Sequence, residues 1–141
     1  AAMIVYLLDM HNSPLLPKYG VARAKALEWL MWCNASLHPA AGRMFWLNRQ
    51  TLDDAVRAEL GKSIVAQVQS LWDEAEARLA QTRYLAGDQV TAADILLTVI
   101  ANWGLPVTLG DNVKRVLREI IARPSYQMAL KTEQVEYKAV A

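Results

Sequence analysis

An acid at the head of an apolar run is the first feature of this chain that could carry chemistry. Asp94 precedes the apolar residues 95–101 in the stretch YLAGDQVTAADILLTVIANW, residues 84–103. A carboxylate bound for a core is costly unless it is hydrogen-bonded, so either it has a catalytic task or local donors stabilise it. Thr91 stands three residues earlier, which is the spacing of a capping box. There the threonine hydroxyl accepts from the N–H of residue 94, and the carboxylate accepts from the N–H of Thr91.

The residues next to Thr91 and Asp94 favour the capping role over a catalytic one. Val90 and Ile95 occupy the two positions of a hydrophobic staple around the cap. A carboxylate in the first turn also interacts favourably with the helix dipole. We therefore predict that Thr91 and Asp94 are structural capping residues of a buried helix and have no catalytic part.

The other reactive side chains are few. Cys33 is the only cysteine, and His11 and His38 are the only histidines. Structural zinc sites use four Cys or His ligands, so no metal site is expected. Cys33 lies in a helical apolar pattern, where a lone cysteine is typically a small packing residue. Because no internal disulfide is possible, a reducing cytoplasmic compartment is the natural location.

Composition limits the class of protein. The 141 residues are 54% hydrophobic and 21% charged, with a formal net charge of +1. This balance is typical of one globular domain, and the chain lacks the basic excess of a nucleic-acid binder. No apolar run approaches the roughly 20 residues that cross a bilayer. Neither nucleic acid nor a membrane is therefore an expected partner.

The periodicity predicts an all-α helical bundle, because apolar residues recur near every 3.6 positions and strand patterns are nearly absent. One long helix is predicted from about Val21 to Trp46, with Asn34 as the polar exception on its apolar stripe. A second long helix is predicted to begin at a capping box formed by Thr51 and Asp54. The two helices should pack as an antiparallel hairpin.

Three shorter helices are predicted in the second half. The first runs from about Thr91 to Trp103 and is apolar nearly all round, so it should be buried. The next begins at Asp111, the predicted N-cap, and reaches about residue 122. Pro124 opens the last one, at a first-turn position where its missing N–H costs nothing.

Several segments, in order, resemble pieces of the glutathione transferase superfamily. YLAGDQVTAADILL is similar to the family's Tyr-Leu-x-Gly segment and Thr/Ser-x-x-Asp box, which open the central helix of the C-terminal helical domain. IVYLLD resembles the last helix of the family's thioredoxin-like domain. PLLP with RAKALEWLMW resembles the linker and first helix of the helical domain, and ARPSYQMAL resembles its closing helix. The resemblance covers nearly the whole chain.

The resemblance implies a domain organisation. Residues 1–10 correspond to a remnant of the last thioredoxin-like helix, residues 11–20 to a linker, and residues 21–141 to the helical C-terminal domain. The thioredoxin-like domain is then essentially absent from these residues, and we expect the chain to be a piece of something longer. In the family that domain binds glutathione and supplies the Tyr, Ser or Cys that activates its thiol.

The implied function is the conjugation of glutathione to small electrophiles by a cytoplasmic, homodimeric detoxification enzyme. The helical domain supplies the hydrophobic pocket for the electrophile, and glutathione is the co-substrate. No catalytic residue is expected in this chain, which by itself should be inactive. The alternative is a non-catalytic interaction module, since the same fold serves assembly in translation factors and tRNA-synthetase complexes. Nothing in the sequence resembles a fused catalytic or nucleic-acid domain, so we favour the enzyme.

The resemblance also selects candidate substrate-binding residues. His38, in the stretch SLHP, matches a histidine of the bacterial beta class that faces the glutathione site, although Pro39 stands where that class has lysine. Asn34 lies one turn earlier on the same face. Trp103 matches a position that lines the electrophile pocket. The alternatives are that His38 is a polar residue beside a bend, that Asn34 satisfies a backbone carbonyl, and that Trp103 belongs to the core.

Overall fold

The predicted all-α architecture is confirmed by the computed structural model, which describes residues 1–140. No β-strand occurs within that range. Its helical segments are α1 (Ala2–Met10), α2 (Gly20–Trp32), a π-helical turn (Cys33–Leu37), α3 (His38–Leu47), α4 (Asp54–Leu79), α5 (Ala92–Ala101), α6 (Asp111–Ile121) and α7 (Pro124–Glu133).

The first long helix, predicted as one segment, is interrupted near Pro39. The π-helical turn Cys33–Leu37 separates α2 from α3, and Pro39 follows in the first turn of α3. A proline there leaves a backbone carbonyl one turn earlier without its usual N–H donor, and a wider turn accommodates that loss. The interruption lies directly before His38, so it sets the orientation of the helix that carries this residue.

The turn between α3 and α4 corrects one prediction. The N-cap of α4 is Asp53, whose carboxylate accepts from the N–H groups of Ala55 at 2.9 Å and Val56 at 3.4 Å. Thr51 does not cap the helix, because it lies two residues before the N-cap, in irregular backbone. The Arg57 guanidinium closes the turn by donating to the carbonyls of Leu47 and Gln50. Helices α3 and α4 pack against each other, as the hairpin prediction required.

Helix α5 lies in the middle of the bundle, against α2, α6 and the π-helical turn. Its buried side chains are Ala92, Ala93, Asp94, Leu97, Thr98 and Ile100. The chain leaves α5 through Gly104, whose φ of +71° lies in the left-handed region that glycine adopts without a Cβ penalty. The residues after this glycine lead to α6, which buries Val113, Val116, Leu117 and Ile120 against the same core.

The N-cap of α6 is Gly110, so the prediction that Asp111 caps this helix was wrong. Asp111 is the first helical residue. A carboxylate from α4, that of Glu76, accepts from the N–H groups at the start of α6 instead. Helix α7 begins at Pro124, as predicted. Within the described range, no helix is long and apolar enough to cross a membrane.

Candidate functional site

The Asp94 carboxylate is fully buried, and both of its oxygens accept hydrogen bonds from nearby residues. Its Oδ2 atom accepts from the Thr91 N–H at 2.8 Å and from the Thr91 hydroxyl at 3.0 Å. Its Oδ1 atom accepts from the Leu85 N–H at 2.9 Å. The two residues stand at the N-cap and N3 positions of α5, in the arrangement of a capping box. The carboxylate therefore ties the preceding loop to the start of the helix.

The hydrogen bond from the Leu85 N–H could not be predicted from the sequence, because the two residues are nine positions apart in irregular chain. Burial raises the pKa of Asp94, and the hydrogen bonds from Leu85 and Thr91 oppose that rise. None of the cavities described below is lined by Asp94. Its surroundings are those of a structural group.

Cys33 is buried in the π-helical turn, with its Sγ atom 3.7 Å from the carbonyl oxygen of Ala93. Burial raises the pKa of this thiol strongly, and the nearby negative charge of Asp94 raises it further. Since the thiolate is the nucleophile in cysteine chemistry, this side chain is not set up to react.

His38 and Trp103 are brought together by the packing of α3 beside the end of α5. Their ring centroids lie 4.8 Å apart with an interplanar angle of 73°, which is an edge-to-face contact. His38 is exposed and Trp103 is half-buried. Both rings thus combine a fixed position with access to solvent, as a binding residue needs.

Phe45 is a third member of this cluster that sequence reasoning did not select. Its ring centroid lies 5.7 Å from that of Trp103, again edge-to-face, and the side chain is 40% exposed. The available signal was its spacing, because a residue seven positions after His38 falls on the same face of a helix. We call His38, Phe45 and Trp103 the aromatic cluster.

Asn34 lies apart from these rings in the described contacts. Its side chain is exposed, and its Oδ1 atom is 3.5 Å from the Ala1 nitrogen. In the described contacts the Asn34 amide donates to no buried backbone carbonyl, so the structural alternative considered for this residue does not apply. Its role as a substrate-binding residue stays a prediction, as does the orientation of His38 toward a glutathione site.

An apolar groove adjoins Trp103 between α5 and α7. Its volume is about 570 Å³, and Ile95, Val99 and Trp103 form one wall. The opposite wall includes Tyr126 and Leu130 of α7. A concave apolar site of several hundred Å³ is typical of small-molecule binding. We call this cavity the α5–α7 groove.

Residues 135–140 follow α7, and we call them the C-terminal strap. Val135 lines the groove, and Gln134, with a φ of +54°, turns the chain at the end of α7. Asn102 then binds the strap backbone through both ends of its side-chain amide. The strap is thus part of the wall that Trp103 faces.

No cluster of three or more His, Cys, Asp or Glu side chains suited to a metal ion occurs in residues 1–140. The charged side chains that line the groove are Arg123 and Glu133, one at each end of α7. The site is therefore an apolar one with charged groups at its margins.

Comparison with known proteins identifies the fold. Residues 40–103 match the family model described as "Glutathione S-transferase, C-terminal domain". Glutathione S-transferase GST-4.5 of Xanthomonas campestris is 27% identical over 139 residues, which cover 94% of this chain and 68% of that protein. Glutathione S-transferase 3 of Zea mays is 34% identical over 125 residues, covering 82% of this chain and 56% of that protein.

A solved glutathione transferase from Methylococcus capsulatus superimposes with a TM-score of 0.77 at 26% identity, covering 94% of this chain and 66% of that one. The chain has the fold of the glutathione transferase C-terminal helical domain, and its sequence is similar to that family. It spans between 56% and 68% of the length of the curated relatives named here.

Proposed function

We propose that this chain forms the electrophile-binding part of a glutathione transferase. The observation that carries the proposal is the aromatic cluster, in which Trp103 contacts His38 at 4.8 Å and Phe45 at 5.7 Å beside the apolar groove. The likeness to glutathione transferases supports glutathione as the co-substrate, and two solved relatives have glutathione bound.

In the proposed reaction the glutathione thiolate attacks an electrophilic carbon of the second substrate. A carbon–sulfur bond forms, and that carbon either expels a leaving group with its electron pair or, in an addition, passes an electron pair to a neighbouring atom, which takes up a proton. Cys33 cannot replace the glutathione thiol, because it is buried and burial raises its pKa. The contribution of this chain is to hold the electrophile in place, which lowers the entropic part of the barrier.

Each named side chain has a part in that positioning. Trp103 and Phe45 offer ring faces and edges to an apolar molecule. His38 offers a ring nitrogen to a polar substituent or leaving group, and Asn34, one turn earlier, offers an amide. The glutathione site itself belongs to a thioredoxin-like domain in this proposal, so residues 1–141 alone have no transferase activity.

We further propose a cytoplasmic homodimer as the working form of the whole protein. Helix α1 exposes Met3, Tyr6, Leu7 and Met10 at helical spacing, an apolar stripe that the thioredoxin-like domain or a second copy of the protein would cover. An exposed apolar stripe of this kind is typical of a protein–protein contact.

The test is a calorimetric titration of the chain with a chlorinated nitroaromatic in the absence of any thiol. Trp103→Ala should weaken binding about tenfold, and His38→Ala should weaken it less. Trp46→Ala is the matched control, because Trp46 is 59% exposed on α3 and its ring forms no aromatic pair with the rings of the cluster in the described residues. Equal affinities for wild type and Trp103→Ala would overturn the proposal.

Glutathione is the second arm of the titration. The chain alone should show no measurable heat of binding, because the proposal assigns the tripeptide site to another domain. Tight glutathione binding by residues 1–141 would contradict that division and place a site within the bundle.

A further inference from the structure

Asn102 holds the C-terminal strap against the end of α5 through two hydrogen bonds. Its Nδ2 atom donates to the carbonyl of Glu136 at 2.9 Å, and its Oδ1 atom accepts from the N–H of Lys138 at 2.7 Å. The side-chain amide thus acts as a neighbouring strand would, satisfying one donor and one acceptor of an extended backbone.

A third tie comes from Tyr137, which lies between these two residues. Its hydroxyl donates to the carbonyl of Thr98 in α5 at 3.0 Å. Its ring packs edge-to-face on Tyr126 of α7, with centroids 6.2 Å apart. The strap therefore bridges α5 and α7, the two helices that form the groove.

The position of Asn102 relates the strap to the proposed binding site. Asn102 directly precedes Trp103 and, like Val135, it lines the α5–α7 groove. It also lines a neighbouring cavity of about 460 Å³, together with Lys138 and Ala139 of the strap. Asn102 is the residue that the two cavities share, so it lies where they adjoin.

We propose that Asn102 is a positioning residue that holds the strap as a wall of the groove and thereby sets the affinity for the electrophile. This inference rests on the proposed function, because it takes the groove beside Trp103 as part of the electrophile site. Asn102 acts through the strap and need not touch the substrate. Without its amide, the strap keeps the hydrogen bond from the Tyr137 hydroxyl to α5 and the one from the Val135 N–H to the Leu130 carbonyl of α7.

The experiment compares Asn102→Ala with the control Glu136→Ala in the chain 1–141. The control removes a side chain of the strap that pairs only with Lys138, but it keeps the backbone carbonyl that Asn102 binds. Two quantities are measured: the hydrogen-exchange rate of the Lys138 amide and the affinity for the chlorinated nitroaromatic. Asn102→Ala should speed exchange of that amide about tenfold or more, since its acceptor is lost. It should also weaken the affinity about fivefold, while the control changes neither quantity.

Asn102→Asp separates the two halves of the contact. An aspartate keeps an acceptor for the Lys138 N–H but offers no donor to the Glu136 carbonyl. The Lys138 amide should stay protected, and the affinity should fall between those of wild type and Asn102→Ala. Tyr137→Phe is the second variant should Asn102→Ala not fold, because it releases the third tie without a change in packing volume and should weaken affinity measurably.

The outcomes distinguish this inference from the proposed function. Faster exchange with unchanged affinity in Asn102→Ala, beside a weakened Trp103→Ala, would overturn the positioning role and leave the proposed function standing. Unchanged affinity in both variants would overturn the positioning role and the proposed function together. Loss of affinity in Asn102→Ala without faster exchange at Lys138 would also overturn the inference, because the effect would not pass through the strap.

Discussion

The Glu76 carboxylate caps a helix that begins more than thirty residues later, since its Oε2 atom accepts from the N–H of Val113 at 2.8 Å. Its Oε1 atom accepts from the N–H and the side-chain amide of Asn112, at 3.1 and 2.8 Å. The start of α6 thus obtains from α4 the acceptors that a local Ser, Thr or Asp normally provides.

Loss of this cap should destabilise the fold. We expect Glu76→Ala to lower the free energy of unfolding by about 1–2 kcal/mol, the range for losing a helix cap. Glu74→Gln is the control, because Glu74 is exposed on the same helix and makes no hydrogen bond in the described contacts; it should change stability by less than about 0.5 kcal/mol. Urea denaturation measures both, and equal stability of the Glu76 and Glu74 variants would contradict the cap.

The same cap predicts a pH dependence. Burial by itself raises the pKa of Glu76, but the hydrogen bonds from Val113 and Asn112, with the charge of Arg115, hold it below its ordinary value. A carboxyl whose pKa is lower in the folded state stabilises the fold above its unfolded pKa of about 4.3, and the benefit is lost as pH falls through the folded pKa. The stability difference between wild type and Glu76→Gln should therefore shrink as the pH is lowered below about 4. A difference that stays constant down to pH 2 would refute this linkage.

Gly110→Ala should damage the cap indirectly. A Cβ atom at Gly110 would overlap the Cδ and Oε2 atoms of Glu76, and the hydrogen bonds to α6 hold that carboxylate in place. We expect a loss of about 1–2 kcal/mol in the single variant, and a smaller loss when the same change is made in a Glu76→Ala background. A four-variant denaturation cycle measures the coupling, and full additivity would show that the overlap is relieved without moving Glu76.

Thr91→Ala and Asp94→Ala should both destabilise the fold, by about 0.5–2 kcal/mol for Thr91→Ala. The loss for Asp94→Ala should be larger, because it also leaves the buried N–H of Leu85 without its acceptor. The double variant should cost less than the sum, since the two side chains bind each other at 3.0 Å. Chemical denaturation of the four proteins would decide it, and additive losses would exclude a shared capping motif.

Cys33 should be unreactive in the folded chain. It is buried, and burial raises the pKa of its thiol, so a thiol reagent at pH 8 should label it orders of magnitude more slowly than in urea. Labelling is followed by mass spectrometry under both conditions. Equal rates would mean that the core around the π-helical turn opens readily.

Some features follow from sequence alone because their physics is local. Thr91 and Asp94 lie one turn apart, so their spacing indicates a cap whatever the rest of the chain does. The all-α class follows from apolar periodicity in the same way, and Pro124 marks a helix start because its ring suits only the first turn.

The cap of α6 could be assigned only from the tertiary structure. Glu76 of α4 makes a local cap at Asp111 unnecessary, and this depends on how α4 packs against α6, which no window of the sequence contains. The cap of α4 is local, because Asp53 accepts from the N–H groups of Ala55 and Val56, but the spacing of Thr51 and Asp54 predicted a different residue.

The candidate site shows the same contrast between what the sequence predicts and what the tertiary structure adds. The resemblance selected His38 and Trp103 singly, but their contact at 4.8 Å joins residues 65 positions apart and depends on the packing of α5 against the π-helical turn that leads into α3. The contact of Phe45 with Trp103 and the hydrogen bond from Asn102 to the strap were likewise identified only in the folded structure. Hydrogen bonds within one turn can be predicted from the spacing of the residues, whereas contacts between distant segments depend on how the whole core packs.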